Sequence, residues 1–173
     1  MKPFLLIIDG PMGSGKTTTA EMMHKKFPRT AILGLDRIKW SVSGFKRDTR
    51  NNTIIYDVVF AMTSAFLAHG VNVIVEQGFR KGMVEQYQKR GKQLGARTVT
   101  VQLIAPRKAL IERVDARRKK PKFPGRTQIS HARVLRNFRK HAAKPLIKGH
   151  ILDTTTLSPK KVVKKIMQMI SKP

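Results

Sequence analysis

The sequence predicts a three-layer α/β fold, a mostly parallel five-stranded sheet covered by helices, and three observations predict it. Apolar, β-branched runs alternate along the chain with segments of helical periodicity. The first run, Phe4-Leu5-Leu6-Ile7-Ile8, is continuous rather than alternating, as expected of a parallel strand buried on both faces. That run passes through a glycine-rich turn, Gly10 to Thr17, directly into a segment with Ala20, Met23 and Phe27 at helical spacing and Pro28 as a stop.

The elements follow in order. Strands are expected at residues 4–9, 30–35, 71–76, 97–104 and 149–152. The first helix is expected to run from Thr17 to Phe27. The second segment of helical period has Asn52 or Thr53 as its cap. Ile55, Val58, Val59, Met62, Phe66 and Leu67 form its apolar set, and Gly70 lies just past its end. Residues 82–94 read as a basic surface helix ending at Gly95. Residues 107–119 read as another, with Leu110, Ile111 and Val114 inward. Residues 127–141 are amphipathic through Ile129, Val134, Leu135 and Phe138. Ser158 followed by Pro159 is a cap with proline at the first helical position, and Val162, Val163, Ile166, Met169 and Ile170 form that helix's buried stripe.

The turn Gly10-Pro11-Met12-Gly13-Ser14-Gly15-Lys16-Thr17 matches the G-x-x-x-x-G-K-[ST] phosphate-binding loop without a mismatch, between a strand and a helix. In that setting backbone N–H groups and a helix N-terminus hold a triphosphate. Gly10, Gly13 and Gly15 admit the tight turn and the close approach of phosphate, with Met12 and Ser14 between them. Lys16 reaches the β- and γ-phosphates, and the Thr17 hydroxyl ligates Mg²⁺. Thr18 either adds a contact near the α-phosphate or is a first-turn helix residue. Asp9 reads as an anchor for the loop. No guanine-specific N-K-x-D motif is present, so ATP with Mg²⁺ is the expected ligand.

The 173-residue length suits one domain with a real core. No apolar run approaches the roughly 20 residues of a membrane span, and the N-terminus lacks a signal-peptide pattern. The absence of cysteine excludes disulfides and thiolate metal sites. A cytoplasmic location is the default expectation. The net charge of +26 is exceptional, and residues 76–173 hold twenty-six of the thirty-six basic residues. Such an excess suits a polyanionic partner such as nucleic acid, or is a general property of the surface.

Phosphoryl transfer needs a positioned acceptor, a metal and cations around the moving group. Asp36 follows the second strand and so emerges on the face of the phosphate loop. It is the candidate general base for an acceptor hydroxyl. Glu76 ends the third strand on the same face, as a holder of Mg²⁺ or of the acceptor. Arg37 and Arg80 are candidates for an anionic substrate. Arg113 and Arg117 are four residues apart and share a helical face, as two cations for the β/γ-phosphates and the transition state or as two solvated charges on a basic helix. Residues 117–126, with two prolines and a glycine, read as a solvated loop or as a basic lid over the triphosphate. Asp153-Thr154-Thr155 forms either a turn near the adenine or the lead into the last helix. No pair of the five histidines has metal-ligand spacing, and these are read as structural or surface residues.

The order GPMGSGKT, LGLDRIKW, VNVIVEQGF, LIAPRKALIERVDARR, ILDTTTLSP resembles the P-loop kinase superfamily, in particular the group of polynucleotide kinases, chloramphenicol phosphotransferase and zeta-toxin-like kinases. The resemblance spans nearly the whole chain. It implies a P-loop NTPase fold with strand order 2-3-1-4-5. It also implies that Asp36 is the general base, Arg113 and Arg117 are the lid arginines, and Glu76 is the polar residue ending strand 3, where an aspartate is common. The implied activity is transfer of the γ-phosphoryl group of ATP to a hydroxyl. RRKKPKFPGRTQISHARVLRNFRKH resembles the lid and following helix of the polynucleotide kinases, which points to a nucleic-acid 5′-hydroxyl. Against it, the chain offers few aromatics for base stacking, Trp40, Phe45, Phe79 and Phe123 being the candidates. Two alternatives stand beside it: a small-molecule kinase acting on an antibiotic, sugar or nucleoside, and a non-transferring ATP-binding module that docks on RNA.

Overall fold

A computed structural model describes residues 2–46, 48–80, 82–119, 130–142 and 149–171. Of the expected lid, only residues 117–119 lie among these, as the end of a helix; residues 120–126, Phe123 included, lie outside them, as do Thr127 and Ile129.

Five parallel strands form one sheet. They are β1 (Phe4–Asp9), β2 (Thr30–Leu33), β3 (Asn72–Glu76), β4 (Arg97–Ile104) and β5 (His150–Asp153), in the order β2-β3-β1-β4-β5. The order is the one the resemblance implies. β1 is central and buried along its whole length, which is why its sequence is apolar without alternation. Its side chains still alternate between layers. Phe4, Leu6 and Ile8 join one core with Ala20 and Met23 of α1 (Lys16–His24) and Val162, Val163 and Ile166 of α7 (Pro159–Ser171). Leu5 and Ile7 face the other core, with Ile55, Val59 and Leu67 of α3 (Thr49–Ala68) and Tyr87 of α4 (Met83–Gln93). A third cluster joins Leu110 and Val114 of α5 (Arg107–Lys119) to Val134 of α6 (His131–Ala142). No helix among the described residues is long and apolar enough to cross a membrane.

Several boundaries differ from expectation, each for a local reason. β2 stops at Leu33, because Gly34 turns the chain into a short helix α2 (Leu35–Ile38) followed by a 3-10 turn at Lys39–Ser41. α1 ends at His24; Phe27 lies beyond it and meets Phe4 edge-on at 5.1 Å. α3 begins earlier than Asn52 or Thr53, since Asp48 is its cap and accepts from the Asn51 N–H at 2.7 Å. Such a cap stabilises a helix by about 1 kcal/mol. The buried stripe of α3 is Ile55, Val59, Thr63 and Leu67, which leaves Val58 on the outer side, 38% exposed.

The register sets the site. Ile8 pairs with Glu76, and Asp9 pairs with Gln102. Asp9, Glu76 and Gln102 therefore lie within about one residue of the same level, β4 running on to Ile104, and these polar residues share one end of the sheet with the turn that follows β1.

Candidate phosphate-binding site

The turn after β1 has the backbone its glycines predict. Gly10, Gly13 and Gly15 have φ of 145°, 87° and 97°. A Cβ on Gly10 would lie 2.4 Å from the Leu103 carbonyl oxygen, and one on Gly13 would lie 2.8 Å from that of Leu110. Gly15 caps α1, with Lys16, Thr17 and Thr18 in its first turn. The Ser14 side chain is fully buried and its Oγ has no hydrogen-bond partner among the described residues.

Lys16 Nζ donates to Gly10 O at 2.8 Å and to Pro11 O at 3.0 Å, so the lysine is folded over its own loop. Burial lowers its pKa, opposed by the charges of Glu76, Asp9 and Asp36 and reinforced by Arg117. Thr17 Oγ1 lies 3.3 Å from each oxygen of Glu76. Burial raises the Glu76 pKa, with Lys16 and Arg37 opposing and Asp36 adding to the rise. The site therefore gathers one lysine, one hydroxyl and two carboxylates from α1, α2 and β3. A hydroxyl beside a carboxylate, both oxygen donors, fits Mg²⁺, which takes one or two protein oxygens and completes its shell with water and substrate phosphate.

Asp36 sits in α2 with an exposed carboxylate and makes an ion pair with Lys39. Lys39 is itself buried, so it holds Asp36 from below. Gly34 permits this turn to lie against β3: a Cβ there would fall 2.6 Å from Glu76 O. Arg37 Nη2 lies 3.6 Å from Glu21, and its buried Nε has no hydrogen-bond partner among the described residues. Arg80 lies over the ring of Tyr56, 4.5 Å from its centroid.

Arg113 spans two elements. Its Nη1 donates to Thr154 Oγ1 at 2.9 Å and to Gly13 O at 3.5 Å, and its Nη2 donates to Thr154 O at 2.7 Å. The Thr154 hydroxyl donates in turn to Ile104 O at 3.0 Å. The turn after β5 is thereby joined to the phosphate loop through α5. Arg117 is exposed, near enough for its charge to act on Lys16.

Asp9 is the anchor the sequence suggests. It accepts from Phe79 N at 3.3 Å and from Gln102 Nε2 at 3.0 Å, and lies 3.5 Å from His141 Nδ1. Burial pushes its carboxyl up, but hydrogen bonding and charge from His141 and the N–H groups of Gly10 and Phe79 outweigh this and leave it below the ordinary value. Two residues of α6 were not singled out from the sequence for this site: His141, and Asn137, whose Oδ1 accepts from Met12 N at 2.7 Å. Their four-residue spacing on an amphipathic helix was the one available signal, and it did not say against what that face packs.

A family model described as an AAA domain matches residues 5–145. No curated protein matches the sequence. Solved structures share the fold along nearly the whole chain. A candidate kinase from Chloroflexus aurantiacus is 20% identical with a TM-score of 0.72, the match covering 98% of this chain and 99% of that one. The APS kinase CysC of Mycobacterium tuberculosis, solved with AMPPNP and APS, is 12% identical with a TM-score of 0.67 over 99% of both chains. A chain of the Pnkp1/Rnl/Hen1 RNA repair complex is 22% identical with a TM-score of 0.65, over 82% of this chain and 44% of that one. At such identities the likeness is one of fold.

Proposed function

The chain belongs to the AAA domain family and has a P-loop kinase-like fold, and from that premise we propose that it is an ATP-dependent phosphotransferase with a hydroxyl acceptor. The observation that carries this reading is the meeting of Lys16, Thr17, Glu76 and Asp36 at one sheet edge. A nucleotide-binding module that only switches shape has no use for an exposed carboxylate steadied by a buried lysine beside its phosphate loop.

In this reading the glycine loop and the N-terminus of α1 bind the triphosphate, and Lys16, steadied by the Gly10 and Pro11 carbonyls, has a third N–H for the β- and γ-phosphates. Thr17 and Glu76 would hold Mg²⁺, which would supply neutralisation of the phosphate charge. Asp36 takes the proton of the acceptor hydroxyl. The acceptor oxygen forms its bond to the γ-phosphorus as the bond to the β–γ bridging oxygen breaks, and ADP leaves. Arg113 and Arg117 stabilise the charge on the transferred group.

The acceptor we assign is a nucleic-acid 5′-hydroxyl. The net charge of +26 supports it, concentrated as it is in residues 76–173, and so does the shared fold with a chain of an RNA repair complex. The test is transfer of labelled γ-phosphate from ATP to a 5′-hydroxyl oligonucleotide, beside a panel of small hydroxyl compounds. Label on the oligonucleotide is the expected result. Label only on a small compound overturns the acceptor and keeps the chemistry; label on nothing, with ATP bound, favours the non-transferring module.

A further inference from the structure

Lys16 and Asn137 hold the two ends of one peptide group. Lys16 Nζ donates to Pro11 O at 3.0 Å, and Asn137 Oδ1 accepts from Met12 N at 2.7 Å. The carbonyl and the N–H of a trans peptide point to opposite sides, so the lysine and the asparagine lie on opposite sides of the loop. Each bond polarises the amide and strengthens the other. Since a backbone N–H only donates, the acceptor at Asn137 has to be its carbonyl oxygen, and the orientation of the carboxamide is fixed.

α6 grips the loop at a second point. His141 is four residues on from Asn137, on the same face, and its Nδ1 lies 3.5 Å from Asp9 Oδ2. The loop is thus held at its root, Asp9, and at the first peptide past Gly10. From the other side α5 packs on Gly13 and Arg113 donates to Gly13 O.

Resting on the phosphotransferase reading, we infer that Asn137 is a positioning residue for the triphosphate: it fixes the Pro11–Met12 peptide in the orientation that presents its carbonyl, not its N–H, to Lys16. With the peptide turned over, the N–H dipole would face the lysine ammonium and the amine would lose one of its two acceptors. Asn137 acts through Met12 on the placement of Lys16, before nucleotide arrives. Its contribution is preorganisation of the loop, which belongs to binding more than to the chemical step.

The experiment compares wild type, Asn137→Ala and Asn137→Asp for ATP affinity by calorimetry, for kcat at saturating ATP, and for exchange of the Met12 amide proton. Asn137→Ala is expected to speed that exchange and weaken ATP binding about 5- to 10-fold, with kcat within about twofold of wild type. Asn137→Asp keeps the acceptor. At about 1 M salt, where its charge is screened, it is expected to bind ATP within about threefold of wild type. ATP binding by Asn137→Ala that is equal to or tighter than wild type overturns the inference. A fall in kcat with unchanged affinity overturns it too, as does an aspartate variant about 5- to 10-fold weaker than wild type at high salt, a comparison that stands even if the alanine variant folds poorly. Wild-type protein that binds no ATP overturns the phosphotransferase reading itself; loss confined to the variants leaves that reading intact.

Discussion

Thr17 Oγ1 is equidistant from the two carboxylate oxygens of Glu76, 3.3 Å from each, although 59 residues separate them. The pairing of β1 with β3 makes this possible, since Ile8 and Glu76 are in register and the loop after β1 returns Thr17 to that level. The hydroxyl has one proton to share between two acceptors. The hydroxyl and the carboxylate are the two oxygen donors that would hold a divalent cation here, and the cation would supply charge for the phosphates.

Metal-dependent ATP affinity should fall on acidification at a pH above the ordinary carboxylate value of 4.5. Burial raises the Glu76 pKa, so its proton returns at a higher pH than for a free glutamate, and the neutral acid no longer attracts the cation. The stability of the empty protein runs the other way. The folded state binds this proton more tightly than the unfolded state, so the contribution is fully present below 4.5 and is lost as pH rises through the folded value. Calorimetric titration with Mg²⁺–ATP between about pH 7 and 4.5 checks the first claim. Wild type should weaken toward acid in metal and Glu76→Gln should not. Identical profiles would remove Glu76 from the metal site.

Asp36→Asn should lower the transfer rate by about 10²- to 10⁴-fold, the usual range for a general base, while ATP affinity stays within about threefold. Lys39→Ala should have the same sign and a smaller size, about 10-fold, because the carboxylate survives and loses only the cation that steadies it. Single-turnover rates at saturating ATP, with affinities measured separately, decide this. Near-wild-type transfer by Asp36→Asn would take the base assignment away.

Much of this was legible beforehand because the strongest signals were local. β1 and β4 start and stop where the sequence says, since their runs are bounded by Pro3, Gly10, Gly95 and Pro106. α5 likewise spans the residues expected of it. The start of α3 was not legible, because Asp48, Asn52 and Thr53 are all competent caps and only the fold shows which is used. The same divide runs through the site. Asp9 and Glu76 end strands, and Lys16, Thr17 and Asp36 lie in the first turns of the short helices just past β1 and β2, where topology alone brings them together. Asn137 and His141 come from a helix whose docking depends on tertiary packing, and no local spacing encodes that.

Arg113→Lys should behave nearly as Arg113→Ala. The guanidinium donates to three oxygens at once: two on Thr154, plus Gly13 O. A lysine ammonium cannot bridge that span in the same geometry. Both variants should lower kcat/KM for ATP by about 10- to 100-fold, and Thr154→Val, which removes one of the three acceptors, should cause a smaller loss. Steady-state kinetics on the three variants checks the order. A lysine variant close to wild type would mean that charge alone matters at this position.

Gly10→Ala should unfold or severely destabilise the protein, whereas Gly15→Ala should fold and bind nucleotide poorly. The two glycines share a left-handed or positive φ, 145° and 97°, yet differ in surroundings: a Cβ at Gly10 meets Leu103 O at 2.4 Å, while at Gly15 it meets nothing within 4 Å. The first change adds a backbone clash to strain and should cost about 3 kcal/mol or more; the second adds strain alone, about 1–2 kcal/mol. Thermal melts with and without ATP separate the effects, and equal loss of stability in the two variants would contradict the close packing of β1 on β4 at Gly10.

Binding to single-stranded oligonucleotides should weaken steeply with salt, with a log–log slope of about −3 to −5 if four to seven phosphates are neutralised. The argument rests on where the charge sits. The phosphate loop accounts for a single lysine, and α4, α5, α6 and α7 present Lys and Arg on their outer sides with few acidic neighbours among the described residues. A surface property with no polyanionic ligand would give weak binding and no discrimination by strand end. A 5′-hydroxyl acceptor gives the same slope for 5′-hydroxyl and 5′-phosphate strands, since the backbone supplies that term, but turnover for the first alone. Titration from about 50 to 200 mM salt, run in parallel with transfer assays on both strands, distinguishes these. A shallow slope together with transfer to a small hydroxyl compound would detach the charge from the reaction.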